Sequence, residues 1–216
     1  MTAQYISYYI LLLIVFVIGV VRYKRLTIPF KVLTVLMGLT LLLEIIAKIC
    51  AIRYRKNAPV IHITSLTEVI FYSLTYYYLF KNKTVKTSIL VTTVLITIFA
   101  FINSLWLQPY YSDFPSNLVI TSEILYTIFS LLLFKQMLLY PLPINITKQS
   151  VFWYNTAMLL FSTTTFLNLG LINYYVKHHL NDRIIFDFYF GINMIFYALI
   201  GISILINNNK TISENV

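Results

Sequence analysis

Seven long apolar runs follow one another along the chain, separated by short polar breaks. They cover approximately residues 5–21, 28–51, 59–80, 87–107, 115–139, 149–175 and 183–206. A helix needs roughly 20 mainly apolar residues to cross the hydrocarbon core of a bilayer. We therefore predict an all-α fold, a polytopic membrane protein in which about seven transmembrane helices form one bundle domain over residues 1–216.

The composition supports a membrane protein over a soluble one. Hydrophobic residues make up 59% of the chain and charged residues only 11%, whereas soluble domains are about 45–50% apolar and about 25% charged. The net charge of +9 would favour nucleic-acid binding in a soluble protein. Here Lys and Arg lie mostly between the apolar runs, where they set topology and meet anionic lipids. We expect membrane lipids as partners and no nucleic acid.

Prolines mark several of the breaks between apolar runs. Pro29, Pro59 and Pro115 stand near predicted helix starts, where the missing N–H costs nothing. Pro141 and Pro143 fall between the fifth and sixth runs. Because the connections are short, neighbouring helices are predicted to be antiparallel.

The basic residues predict an orientation. The run Tyr5–Val21 has no Lys or Arg before it and a basic cluster after it, the reverse of a signal peptide, so we expect a retained helix. With the N-terminus outside, the inner side receives Arg22, Lys24, Arg25, Lys31, Lys81, Lys83, Lys86, Lys135, Lys148 and Lys210, and the outer side Arg53, Arg55, Lys56, Lys177 and Arg183. The positive-inside rule then predicts a multi-pass protein of a bacterial cytoplasmic (inner) membrane, with the N-terminus outside and the C-terminus cytoplasmic.

Several ionisable residues lie inside the apolar runs, among them the five residues Glu44, Lys48, Glu68, Glu123 and Asp187. A charge inside the bilayer costs about 2.5–3.5 kcal/mol on insertion scales and usually faces the bundle interior. In antiparallel helices all five fall in the same half of the membrane, the outer half. This clustering predicts a polar pocket lined by the three glutamates and Lys48.

Polar stripes on the third and fifth helices extend this pocket. The third carries Thr64, Ser65, Glu68, Tyr72, Thr75 and Tyr76, and the fifth carries Ser116, Glu123, Thr127 and Ser130, at helical spacing. We expect Tyr72 to form an aromatic wall and Thr127 to donate from its hydroxyl group. The loop Gln108–Asn117 either closes the pocket or leaves it open to the outside.

A structural interpretation of the same residues stays open. Glu44 and Lys48 are four apart, in the favourable order for an internal ion pair. Ser, Thr and Tyr often supply hydrogen bonds between membrane helices, and Asp187 can simply cap the seventh helix. The carboxylates would then stabilise the bundle without binding a ligand.

The sequence gives little support for a metal site or a catalytic motif. His62, His178 and His179, with Glu68 or Asp187, could in principle hold a zinc ion. The sequence has no HExxH, no GxSxG elbow and no phosphate-binding glycine loop, and its only cysteine excludes a CxxC motif. We therefore predict no cofactor, no metal site and no catalytic residue, and expect the histidines to be interfacial.

Two segments carry a family resemblance: Asn57-Ala-Pro59 through His62 to Glu68, and later Val151-Phe-Trp153-Tyr. With these segments, and in helix number, helix order and short loops over most of its length, the chain resembles uncharacterised seven-helix bacterial inner-membrane proteins. The resemblance implies the helical bundle and the bacterial membrane, and it implies no activity.

The sequence thus favours recognition of a small molecule or cation in the pocket by a sensor or receptor-like protein, which would signal through a protein partner. A proton-coupled small-solute transporter is the first alternative, because membrane carboxylates can carry protons. A metal-dependent membrane hydrolase and a membrane scaffold or assembly partner are the others.

Overall fold

The computed structural model describes residues 3–170, 172–178 and 183–208. Within these residues the chain is helical and contains no strand, so the predicted all-α fold is confirmed. The helices are α1 (Ala3–Arg22), α2 (Ile28–Tyr54), α3 (Ala58–Leu79), α4 (Lys83–Ile102), α5 (Ser116–Leu139), α6 (Ser150–Gly170), the short α7 (Ile172–Lys177) and α8 (Arg183–Ile206). The seven long helices lie close to the seven predicted segments.

The helix starts follow the chemistry of the sequence. Pro29 and Pro59 are the second residues of α2 and α3, and Pro115 stands directly before α5, as predicted. Asn82 begins α4 by accepting a hydrogen bond on its side chain from the Thr84 amide, at 2.8 Å. A capping side chain of this kind satisfies one of the free N–H groups of the first turn.

Five helical segments are long and apolar enough to cross a membrane. Among the described residues these are 6–25, 28–54, 83–107, 116–139 and 187–206. The helices α3 and α6 are not among them, because their many Ser, Thr, Tyr and Asn residues, with Glu68 on α3, lower their mean hydropathy. Large aliphatic and aromatic side chains such as Ile10, Leu95 and Phe101 are exposed on the outside of the bundle, a surface that suits lipid better than water.

The helices form a closed ring, in which α1 packs against both α2 and α8, and α6 packs against α5 and α8. Asn207, directly after α8, connects three elements at one end of this ring. Its Oδ1 accepts from the Thr27 amide at 2.9 Å, its Nδ2 donates to Ser150 Oγ at 2.9 Å, and its carbonyl accepts from Arg22 at 3.1 Å. We call this the basic end of the bundle; it holds the connections at residues 23–27, 80–82 and 140–149.

A buried polar cluster ties α3, α5 and α6 together in the middle of the bundle. The Tyr76 hydroxyl lies 2.6 Å from Ser130 Oγ and donates to Asn155 Oδ1 at 3.4 Å, and Asn155 Nδ2 donates to the Ser130 carbonyl at 2.9 Å. All three side chains are fully buried. Such bonds between helices are one role that the sequence predicted for hydroxyl side chains in this bundle.

Candidate functional site

A cavity of about 400 Å³ lies between the helices and extends to the end of the bundle opposite the basic end. We call this the pocket end; it holds the connections at residues 55–57 and 103–115. Every long helix except α4 contributes side chains to the cavity wall. Asn57 and the exposed Ser112 form part of its rim, so the cavity reaches the surface at the pocket end. Its volume lies within the range of about 300–1,000 Å³ that is usual for small-molecule sites.

Three carboxylates from three different helices line this cavity: Glu44 on α2, Glu68 on α3 and Glu123 on α5. The Tyr8 hydroxyl of α1 donates to Glu44 Oε1 at 3.3 Å. Glu68 is half-buried and lies close enough to Glu44 and Glu123 to interact electrostatically with both. The three glutamates, which were predicted to lie at one level of the membrane together with Lys48 and Asp187, therefore face one cavity.

Glu123 is the most deeply placed of the three carboxylates. Its side chain is 7% exposed, and its Oε2 atom is buried without a hydrogen-bond partner among the residues that the structure describes. Buried polar atoms are normally hydrogen-bonded, and a buried charge is normally paired. An orphaned carboxylate oxygen on a cavity wall is thus an exception that calls for an explanation.

The other walls of the cavity are largely aromatic. Tyr72 of α3 packs edge-on against Tyr126 of α5 and Phe196 of α8, with ring centroids 5.5 and 6.2 Å apart. Tyr197 packs against Phe196 at 5.1 Å and against Tyr8 at 5.7 Å. All five rings line the cavity. We call Tyr72, Tyr126 and Phe196 the aromatic floor, because they lie between the carboxylates and the buried Tyr76 cluster.

The loop between α4 and α5 covers part of the pocket end and is held by a buried polar network. The helix α4 continues into a π-helical turn, Asn103–Leu107, and the network follows it. Asn103 Nδ2 donates to Gln108 Oε1 at 3.0 Å, Gln108 Nε2 donates to Ser116 Oγ at 2.6 Å, and Asn117 Nδ2 donates to Asn103 Oδ1 at 3.0 Å. The loop is thereby ordered, and its residues Ser112 and Phe114 reach the cavity.

His62 fastens this loop to α3. Its Nδ1 lies 2.8 Å from Ser104 Oγ, its Nε2 lies 3.1 Å from the Asp113 carbonyl oxygen, and its ring packs against Tyr110. Both ring nitrogens are therefore engaged in holding the loop. His62 is buried and joins two elements of the bundle, and its place at the membrane interface stays a prediction.

The structure places three of the predicted site residues away from the cavity wall. Thr127 Oγ1 donates to the Glu123 carbonyl within α5 and lies 2.9 Å from Ser162 Oγ of α6. The half-buried Lys48 lines a separate apolar groove between α1 and α2. Asp187 is exposed on α8. The pair predicted between Glu44 and Lys48 stays a prediction.

The predicted histidines that the structure describes, His62 and His178, do not form a group with acidic side chains that could hold a metal ion. His178 is exposed and packs against Tyr174, and His179 lies outside the described residues. Among the residues that the structure describes, no group of three or more His, Cys, Asp or Glu side chains is placed to hold a metal ion. The three carboxylates surround the cavity and do not converge on one point.

Sequence reasoning missed much of the aromatic wall. Tyr8 was not among the predicted wall residues, and Tyr126 lies one position before the predicted Thr127. On α8, Tyr189, Asn193 and Tyr197 line the cavity. Their four-residue spacing puts them on one helix face, and this was the signal in the sequence that could have indicated them.

Comparisons of the chain with protein-family models, with curated proteins and with solved structures found no match. The resemblance to seven-helix bacterial inner-membrane proteins therefore stays a prediction. The fold and the site together define a helical bundle that encloses an acidic, aromatic-walled cavity open at one end.

Proposed function

We propose that this chain is a multi-pass membrane protein that binds a small molecule in the cavity at its pocket end, as a sensor or receptor-like protein. The observation that carries the proposal is the cavity itself: three carboxylates and an aromatic floor surround a space of about 400 Å³ that reaches the surface. Sites for small molecules are typically concave and mostly apolar, with a few polar groups that orient the ligand.

The proposed topology has seven spans, with the N-terminus outside a bacterial cytoplasmic membrane. The helices α3 and α6 are included as spans because many of their polar side chains, such as Ser65, Ser73 and Asn155, are buried inside the bundle. A span can carry such residues when they face other helices and not lipid. The basic end would then be cytoplasmic, in line with the positive-inside rule, and the pocket end would face outward.

A receptor-like role fits a cavity that is reached from one side. The aromatic floor and the buried Tyr76–Ser130–Asn155 cluster separate the carboxylates from the basic end. A ligand that draws the helices together around the cavity would change their packing, and a protein partner could detect this change.

A proton-coupled transporter is the second candidate, and the proximity of Glu68 and Glu123 favours it. Two carboxylates that interact electrostatically can share and release a proton as a transport site changes its access. Transport would require the aromatic floor to open toward the basic end. Proton-coupled solute flux into proteoliposomes that disappears in Glu68→Gln would favour transport over sensing.

Thermal unfolding of the purified protein in detergent tests the proposed function. A screen of metabolites, amines and divalent metals is run on the wild type, on Glu68→Gln and on Glu123→Gln. A ligand that binds only the folded state at a hundredfold excess over its Kd raises the free energy of unfolding by about 2.7 kcal/mol. Asp187→Asn is the matched control, because it also removes one carboxylate charge but lies on an exposed part of α8.

The expected result is a compound that stabilises the wild type and Asp187→Asn and has little effect on the two cavity variants. If no compound stabilises the wild type and both cavity variants unfold at lower temperature, the proposal is wrong. The carboxylates would then hold the bundle together, and a scaffold or assembly partner would be the better interpretation.

A further inference from the structure

We infer that the cavity binds an organic cation, an amine or quaternary ammonium compound, with Glu123 as its counter-ion and the aromatic side chains around its carbon skeleton. This inference rests on the proposed function, because it assigns the chemical class of the ligand to the same cavity.

The charge of the cavity wall is one-sided. Glu44, Glu68 and Glu123 line it, and the described residues of the wall include no Lys, Arg or His. Each carboxylate is an acceptor of hydrogen bonds, and together they repel an anion. Of charged ligands, a cation is the class that an ionised carboxylate on this wall would attract.

The orphaned oxygen of Glu123 points to a missing partner. With 7% of the side chain exposed and Oε2 without a hydrogen bond among the described residues, the protein alone leaves an acceptor unsatisfied at the cavity wall. An ammonium group donates up to three hydrogen bonds and carries the opposite charge. A small rotation of the Glu123 side chain toward the cavity would let such a group bond this oxygen and pair the carboxylate charge.

The arrangement of the side chains favours an organic cation over a metal ion. A metal ion needs several oxygen ligands that converge at 2.0–2.6 Å, as a general rule for Mg²⁺ and Ca²⁺. Within the described part of the chain no three acidic, Cys or His side chains converge in this way. The cavity has room for a molecule of many atoms, at about 400 Å³.

The aromatic rings supply the rest of the recognition. Tyr72, Tyr126, Phe196 and Tyr197 lie on the wall with their rings packed edge to face. Aromatic faces attract cations when the charge lies within about 6 Å of the ring centroid, and they also bury apolar carbon. A primary amine with an apolar skeleton, or a quaternary ammonium group, matches both properties.

The experiment compares ligands that share a skeleton and differ in charge. Panels of primary amines, alcohols and carboxylic acids of matched size are tested by thermal unfolding in detergent. One matched set is 2-phenylethylamine, 2-phenylethanol and 3-phenylpropanoate, and tetramethylammonium is added as the quaternary probe. Each compound is titrated into the wild type, Glu123→Gln, Glu68→Gln and the control Asp187→Asn.

The expected result is that amines stabilise the wild type, that their neutral and anionic counterparts do not, and that Glu123→Gln weakens amine binding by about tenfold or more while Asp187→Asn does not. If Glu123→Gln does not fold, the same loss in Glu68→Gln supports an acidic cation site. Retention of full amine affinity in a folded Glu123→Gln overturns the role of Glu123.

The two proposals fail in different ways. Stabilisation by alcohols or acids and not by amines overturns the organic cation, and it leaves the small-molecule site standing. No stabilisation by any panel overturns the organic cation and counts against the proposed function as well.

Discussion

At the residue scale, the residues three and four positions after Glu68 and Glu123 differ in whether they line the cavity. On α3 the wall residue is Tyr72, four after Glu68, but on α5 it is Tyr126, three after Glu123. Both offsets lie on the same helix face, since an α-helix has 3.6 residues per turn. On α5 the residue four after Glu123 is Thr127, which bonds with Ser162 of α6 and is not on the cavity wall.

The unpartnered oxygen of Glu123 leads to a prediction for the protein without ligand. Glu123→Gln replaces a buried carboxyl group that has no hydrogen bond at Oε2 among the described residues, so the free energy of unfolding should stay the same or rise by up to about 2 kcal/mol. Asn155→Ala breaks a satisfied buried bond to Ser130 and should lower it by about 1–3 kcal/mol. Denaturant unfolding in detergent measures both; a clear loss in Glu123→Gln would give that residue a structural role.

At the element scale, two glycines set how closely α1 and α2 approach. A Cβ at Gly19 would lie 2.6 Å from Thr34 Cγ2, and a Cβ at Gly38 would lie 2.6 Å from Phe16 Cε2. These distances are well inside van der Waals contact, so the two helices pack with their backbones close together. Small residues at such crossings are a common device in membrane bundles.

A matched pair of glycine substitutions tests this packing. Gly19→Ala should lower the free energy of unfolding by about 1–3 kcal/mol, because Thr34 must shift to admit the methyl group. Gly191→Ala on α8 meets nothing within 4 Å and should leave stability unchanged or raise it by up to about 1 kcal/mol. Equal effects of the two changes in thermal unfolding would contradict the close approach of α1 and α2.

The contact of His62 with the α4–α5 loop also joins two elements of the bundle, and it can be tested by mutation. His62→Ala removes the contacts with Ser104 and with the Asp113 carbonyl, so the amides of residues 103–117 should exchange with deuterium faster. Hydrogen–deuterium exchange with mass spectrometry measures this, and His178→Ala, an exposed histidine, is the control. Unchanged exchange in 103–117 would mean that the buried Asn103–Gln108–Ser116 network suffices to hold the loop.

At the scale of the whole molecule, the ring of helices has two chemically different ends. The basic end holds the larger share of the Lys and Arg residues, and the pocket end holds the carboxylates beneath a loop, residues 103–115, that lacks Lys and Arg, together with Arg55 and Lys56 in the connection after α2. The alternating helix directions put these groups at opposite ends, because each short connection reverses the chain. The proposed orientation depends on this separation.

Accessibility of single cysteines tests the orientation. In a Cys50→Ser background, Tyr111→Cys in the α4–α5 loop should react with a membrane-impermeant maleimide in intact cells. Leu142→Cys at the basic end should react only after the membrane is permeabilised. Both native side chains are exposed, at 71% and 48%. The reverse pattern would show that the N-terminus is cytoplasmic.

The sequence alone determined the helical class, the approximate ends of seven helices and the common level of the three glutamates. Apolar run length, proline positions and short connections can be read from local sequence. Because short connections make neighbouring helices antiparallel, these features also give the depth of each residue along the bundle. The sequence was a weaker guide to which side of each helix faces the cavity. Lys48 and Thr127 were predicted to line it and do not.

Only the tertiary structure decided which side chains meet. Tyr8 of α1 and Tyr197 of α8 are far apart in the chain but pack against each other on the cavity wall, because α1 and α8 are neighbours in the ring of helices. Several side chains of each helical turn could face the cavity, and packing and hydrogen bonding with the neighbouring helices determine which of them do. The sequence therefore specified the depth of the site, and the packing of the helices specified its lining.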